Sequence, residues 1–151
     1  MKKKLLITFC VISVIVVLIQ VGECFSKKEH WIISQEITSV KEIKIIEATN
    51  AYEYEIIAEI DIALAKELYT DIESLEMKKY GFTLSHPYDR CFLIVFENGE
   101  YDIISKRESS RFKYEDGELR CFNSWLKVHS EKDFDAMIEK YLKKTGDGSL
   151  S

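Results

Sequence analysis

Residues 5–22 carry no charge, and this apolar run divides the chain into parts that cannot share one aqueous core. Lys2, Lys3 and Lys4 precede it, and Lys27 and Lys28 follow it. Within residues 5–19, twelve side chains are Leu, Ile, Val or Phe. Together they favour bilayer insertion by about 4 to 7 kcal/mol. The 18 residues would make a helix of about 27 Å. That is just short of a ~30 Å hydrocarbon core, a mismatch that local thinning accommodates. A transmembrane or signal helix is therefore expected over 5–22. The lysine asymmetry makes 1–4 a cytoplasmic tail and puts the rest of the chain outside.

Cys24, in the stretch VGEC, bears on how this segment is processed. Val21, Gly22 and Cys24 resemble a bacterial lipobox, but Glu23 stands where that pattern takes a small residue. Signal-peptidase cleavage wants small residues in an A-x-A-like arrangement, and Cys24 and Ser26 supply one with cleavage after Ser26. The reading adopted is an uncleaved single-pass anchor in the cell membrane. Secretion after cleavage is the alternative.

Charge narrows the partners. From residue 26 onward the chain holds 18 basic and 25 acidic residues, net −7. Such a body repels phosphate backbones, so nucleic acid is not expected as a partner. It is also expected to avoid anionic lipid, though Lys27 and Lys28 could sit near headgroups.

Residues 23–36 read as a spacer, with Trp31, Ile32 and Ile33 either touching the membrane interface or docking on the domain. A domain is expected over 37–144 and a disordered tail over 145–151. VKEIKIIEA, residues 40–48, alternates as a strand. After a turn at Asn50–Ala51, Tyr52, Tyr54, Ile56, Ala58 and Ile60 alternate on one face of a second strand. From Asp61 the period becomes helical, with Leu64, Leu68, Ile72 and Leu75 on one stripe and Asp61 as N-cap. Lys78, Lys79 and Gly81 suit the end of that helix.

Asn98–Gly99 between apolar runs predicts a two-residue type I′ hairpin. It would pair Phe96 with Tyr101 and Ile94 with Ile103, placing Phe92, Ile94, Phe96, Tyr101 and Ile103 on one face. Leu93, Val95 and Ile104 would make the other face partly apolar, either covered by a helix or open for docking. Asp116–Gly117 predicts a second hairpin pairing Tyr114 with Leu119 and Phe112 with Cys121, its last strand running through Trp125 to Val128. Ser130 and Asp133 open a final helix with Phe134, Met137, Ile138, Tyr141 and Leu142 on its apolar stripe. The expected class is α+β, of order ββαββββα, with a mainly antiparallel sheet.

The residues that carry chemistry form no recognised constellation. His30, His86 and His129 are scattered, and no H-x-x-x-H or C-x-x-C occurs, so no metal ligand is assigned. Glu115–Asp116–Gly117–Glu118 lacks the calcium-loop pattern and reads as a solvated turn. Cys91 and Cys121 would lie about 14 Å apart in a meander, too far for a disulfide. The densest polar cluster is Ser85, His86, Tyr88, Asp89 and Arg90, a hydrolytic possibility on a loop. The competing reading is a His-Pro turn with Asp89 and Arg90 paired at the surface. No catalytic or cofactor-binding residue is assigned, and no cofactor is implied.

The lysine-rich start, the apolar segment, LIVFENGEYDIIS at 93–105 and DFDAMIEKYL at 133–142 together resemble small, uncharacterised, membrane-anchored extracytoplasmic proteins of Gram-positive bacteria. The resemblance implies an anchor and a compact α+β body, and no biochemical role. The function expected is a membrane-tethered, extracytoplasmic binding module for a protein or cell-envelope component, without catalytic activity. A cell-envelope hydrolase using the 85–90 loop and an immunity-type protein that neutralises a toxin are the alternatives.

Intact-mass analysis of membrane and medium fractions tests the anchor. The full 151-residue chain is expected in membranes. A product beginning at Lys27 in the medium would show cleavage instead, and a lipid-sized increment would show modification of Cys24.

Overall fold

The computed structural model describes residues 29–48, 53–79, 89–123 and 126–147. The apolar segment, Cys10, Cys24, the turn at Asn50–Ala51, Tyr52, residues 80–88, Trp125 and residues 148–151 lie outside them. No helix among the described residues is long and apolar enough to cross a membrane.

The fold is α+β. Its elements are β1 (Glu29–His30), β2 (Val40–Ala48), β3 (Tyr54–Ile60), α1 (Ala65–Ser74), β4 (Glu76–Lys79), β5 (Arg90–Phe96), β6 (Tyr101–Ile104), β7 (Ser110–Glu115), β8 (Glu118–Asn123), β9 (Leu126–Val128) and α2 (Glu131–Asp147). They form a six-stranded sheet, β3-β2-β5-β6-β7-β8, and a three-stranded sheet, β1-β4-β9. All pairings are antiparallel.

One face of the larger sheet and both helices make the main core. Ile43, Ile45, Phe92, Ile94 and Phe96 meet Leu68 and Ile72 of α1 and Phe134, Ile138 and Tyr141 of α2. Phe92 makes edge contacts with the rings of Phe134 at 5.9 Å and Tyr141 at 5.8 Å, a favoured aromatic geometry. The small sheet adds Met77, Leu126 and Val128 to this core. Between the helices, Lys140 Nζ binds Asp71 at 2.6 Å and Lys144 Nζ binds Glu67 at 2.5 Å. Those two pairs run in opposite chain directions, so the helices are antiparallel.

Local signals account for the helix starts. The Asp61 carboxylate accepts from Ala63 N–H at 2.9 Å and opens a 3-10 turn, Ile62–Leu64, that leads into α1. The Ser130 hydroxyl accepts from Asp133 N–H at 3.3 Å and opens α2.

Several expectations are corrected. The folded body takes in residues 29–36, set aside above as a spacer: β1 lies there, and Trp31 and Ile33 are buried in the core. Of the two roles open to those residues, docking on the domain is the one observed for Trp31 and Ile33. The helix after Asp61 stops at Ser74, where Leu75 turns extended, and Glu76–Lys79 becomes the central strand of the small sheet. Its partners are β1 and β9, both distant in sequence, so tertiary pairing overrides the local helical period. The strand after the second hairpin ends at Asn123, and Leu126–Val128 pairs with β4 instead of continuing it. The last helix runs to Asp147, so residues 145–147 belong to it and not to a tail. The order ββαββββα therefore becomes βββαββββββα.

The two hairpins differ instructively. At Asp116–Gly117 both residues have positive φ, 54° and 79°, and Tyr114 pairs with Leu119 and Phe112 with Cys121, as expected. At Asn98–Gly99 only Gly99 is left-handed, at φ 83°. Phe96 N–H donates to Glu100 O at 2.9 Å and Gly99 N–H to Phe96 O at 2.9 Å, so the loop is Glu97–Asn98–Gly99. This is the three-residue hairpin with a left-handed third residue. Val95, not Phe96, then faces Tyr101, and Leu93 faces Ile103. A slip of one residue moves every β6 side chain to the other face. The second correction of this kind is in β3. Ile45 pairs with Ala58 but Ile46 with Ile56, leaving Ile57 as a bulge. Ala58 and Ile60 stay on the core face, while Ile56 and Tyr54 pass to the opposite one.

Gly117 has open space where a Cβ would go, so only its backbone restricts substitution. Gly117→Val is expected to lower stability by about 1–2 kcal/mol. Gly117→Asn, which tolerates this conformation, should recover most of that in chemical denaturation.

Candidate interaction surface

Directly opposed residues in a sheet share a face, so the pairings define the second face of the six-stranded sheet. It carries Ile46, Cys91, Leu93, Ile103 and Phe112 as a second buried cluster, with Val95 and Tyr101 packed beside it. Tyr101 and Phe112 stack with ring centroids 4.3 Å apart. The buried side chains of both helices belong to the first core, and none belongs to this cluster. Towards one sheet edge lie Tyr54 and Ile56, and towards the other Tyr114 and Leu119. These four side chains are between 41% and 52% exposed. The face is apolar through its centre, and it also carries Lys44, paired with Glu42 at 2.5 Å and opposite Glu59, and Ser110 opposite Ile103.

The other face holds the one fully buried carboxylate among the described residues. Asp102 is 0% exposed and opposes Ile94. It accepts from Ser34 N–H at 2.8 Å and from Arg111 Nε at 3.3 Å. The Arg111 guanidinium lies 5.0 Å over the Trp31 ring and donates to the Ile32 carbonyl. Tyr69 of α1 reaches the Gln35 carbonyl at 3.4 Å, and Gln35 Nε2 donates to Glu100 at 2.7 Å. Residues 31–35 therefore form a strap, latched to β6, β7 and α1. Burial holds the Asp102 carboxyl above its ordinary range, against the opposing pull of Arg111 and the Ser34 N–H. Burial, helped by the Asp102 charge, pushes the Tyr69 hydroxyl up to about 12. Sequence reasoning missed Asp102 and Arg111. The signal was a carboxylate inside the apolar run YDII, which the two-residue turn would have placed on the opposite face.

Of the polar cluster at 85–90, Ser85, His86 and Tyr88 lie outside the described residues. Asp89 and Arg90 do not pair with each other. Asp89 binds Lys106 at 3.1 Å, and Arg90 binds Glu139 of α2 at 3.0 Å. Lys106 also binds Asp135 at 3.1 Å. These side chains, with Glu47 and Ile138, line a groove of about 270 Å3. Its charges are arranged as opposed pairs across the junction of β5 and α2.

Cys91 and Cys121 are not joined in a disulfide, and the first is buried and the second exposed. Register correction brings them to one face, yet they stand on β5 and β8, three strand steps apart. Burial pushes the Cys91 thiol up to about 12 and raises that of Cys121 too. Neither is an activated thiolate at neutral pH. No group of three or more potential metal ligands occurs among the described residues. His30 and His129 both flank the small sheet, on β1 and just after β9.

No protein-family model, curated protein or solved structure matches this chain.

The raised Asp102 value has a definite sign. The folded chain holds this proton more tightly than the unfolded chain. The contribution is therefore full below the ordinary aspartate value and is lost as pH rises through the folded one. The stability difference between the wild type and Asp102→Asn should fall across that window, measured by urea denaturation at stepped pH. A flat or rising difference would refute the assignment.

Proposed function

We propose that this chain is a membrane-tethered interaction module whose folded body lies outside the cell membrane. It binds a protein or cell-envelope component through the second face of its six-stranded sheet. The observation that carries the reading is that face itself: an apolar cluster at the sheet centre, flanked at both edges by exposed Tyr54, Ile56, Tyr114 and Leu119, with both helices on the opposite side. Exposed large apolar side chains grouped at the edges of one sheet face mark it as a candidate contact site. Tethering is supported by the uncharged run 5–22 with three lysines before it.

Binding is favoured over catalysis by how the reactive groups are spent. Asp89, Arg90 and Lys106 are held in ion pairs, Asp102 is committed to the strap, and both thiols are protonated. An aromatic and aliphatic face with few charges has the composition of an interface core.

A photo-crosslinking residue placed at Tyr54 or Tyr114 in full-length chain in native membranes tests this. The same discrete adduct is expected from both positions, and none from Lys66 on α1. No adduct at either position, or an equal pattern at Lys66, would overturn it.

A further inference from the structure

We infer that the outer face of the three-stranded sheet is a second interaction surface, one that rests on anionic lipid headgroups. The inference depends on the membrane tether proposed above. Met77 and Val128 point inward and are buried, so their neighbours Lys78 and Lys127 point outward. Those two lysines are directly opposed on β4 and β9. Like charges in that position repel. Neither has an ion-pair partner among the described residues, although the body as a whole is acidic and most of its other described cations are paired. The same face carries His30 opposite Glu76, with His129 adjoining, and Asp133 lines the pocket beside Glu76 and His129.

The distance in sequence from the apolar run supplies the occupant. Glu29, the first described residue, opposes Met77 and so lies one residue from Lys78. Six residues, 23–28, separate that point from the end of the apolar run. Fully extended they reach at most about 22 Å. Lys27 and Lys28 are the last two of the six. A tethered body therefore cannot leave the bilayer surface, and the part nearest the tether is this lysine pair. Ile32, 72% exposed, lies on the strap just beyond. An anionic surface relieves the repulsion between Lys78 and Lys127. The remainder of the acidic body is repelled by the same surface, so the two effects orient the molecule together.

Both helices confirm that this sheet is one end of the body. The last residue of α1 leads into β4, and α2 starts directly after β9. The antiparallel helices then carry Glu67 and Lys144 to the far end. Over the 14 residues from Ser130 to Lys144, α2 rises about 21 Å. That exceeds the ~8–10 Å screening length, so Lys66 and Lys143 serve as distant references.

The test is lysine acetylation, read by mass spectrometry, on the full chain in lipid nanodiscs. One set contains phosphatidylcholine alone and the other a mixture with phosphatidylglycerol. Lys78 and Lys127 are expected to react about five-fold more slowly on the anionic discs. Lys66 and Lys143 should be unchanged, and 0.5 M salt, a value of roughly three-fold physiological strength, should abolish the difference. If the chain enters the discs but all four lysines respond alike, this inference fails and the tether stands. If the chain does not enter the discs, the tether fails and takes the inference with it.

Discussion

Gly99 closes a loop of three residues, and that count decides which β6 side chains face the helices. With Val95 opposite Tyr101, Ile104 enters the main core and Ile103 the second cluster. Asp102, on the same face as Ile104, is carried into the interior. The neighbouring strands inherit the same assignment through their own pairings. β7 opposes Tyr101 with Phe112 and Asp102 with Arg111, so the stacked aromatic pair and the buried ion pair lie on opposite sides of one sheet. A two-residue turn would have exchanged these roles. It would have left an uncompensated carboxylate on the apolar second face, and desolvating such a group costs several kcal/mol.

Burying Asp102 is unfavourable in itself, as its raised proton affinity shows. What offsets it is directional: a backbone N–H, a guanidinium, and the Trp31 ring beneath that guanidinium. Leucine at the same position would pack without that cost, but it would not hold residues 31–35. The arrangement trades stability for specificity of placement, a recognised use of buried polar groups. Here the strap it places is the stretch that connects β1 to the larger sheet.

Features with a local cause were legible in the sequence. The alternation over 40–48, the Asp61 and Ser130 caps, the α2 stripe and the Asp116–Gly117 turn each depend on a few adjacent residues, and each is found. What escaped depends on distant partners. β4 continues a helical pattern as far as Met77, and only β1 and β9 make it a strand. The bulge at Ile57 lets Ile45 and Ile46 keep opposite faces while β3 changes its own. Asn-Gly suits both a two-residue and a three-residue hairpin, and the choice shows only in the hydrogen bonds of Phe96 and Gly99. The second face was read as partly apolar for a register that proved different. It remains apolar because β5 is hydrophobic on both sides, through Phe92, Ile94 and Phe96 on one and Cys91, Leu93 and Val95 on the other. Lys78 and Lys127 were legible as charges, but their opposition required the strand pairing.

The two sheets give the molecule surfaces of contrasting chemistry. A strand that is buried on both faces needs cover on both, and the helices supply it on one side alone. On the other side the central cluster is equally buried, and the edges carry exposed tyrosines and aliphatics. The small sheet has the opposite character: its inner face is apolar and its outer face is charged, with two lysines set against each other. Apolar contact is short-ranged and gains from close fit, whereas charge acts over a Debye length and tolerates loose geometry. A body that uses the second to set its orientation leaves the first free for a fitted partner. The latch at Asp102 joins the two, because it ties residues 31–35, which follow β1 of the small sheet, to the sheet that bears the apolar face.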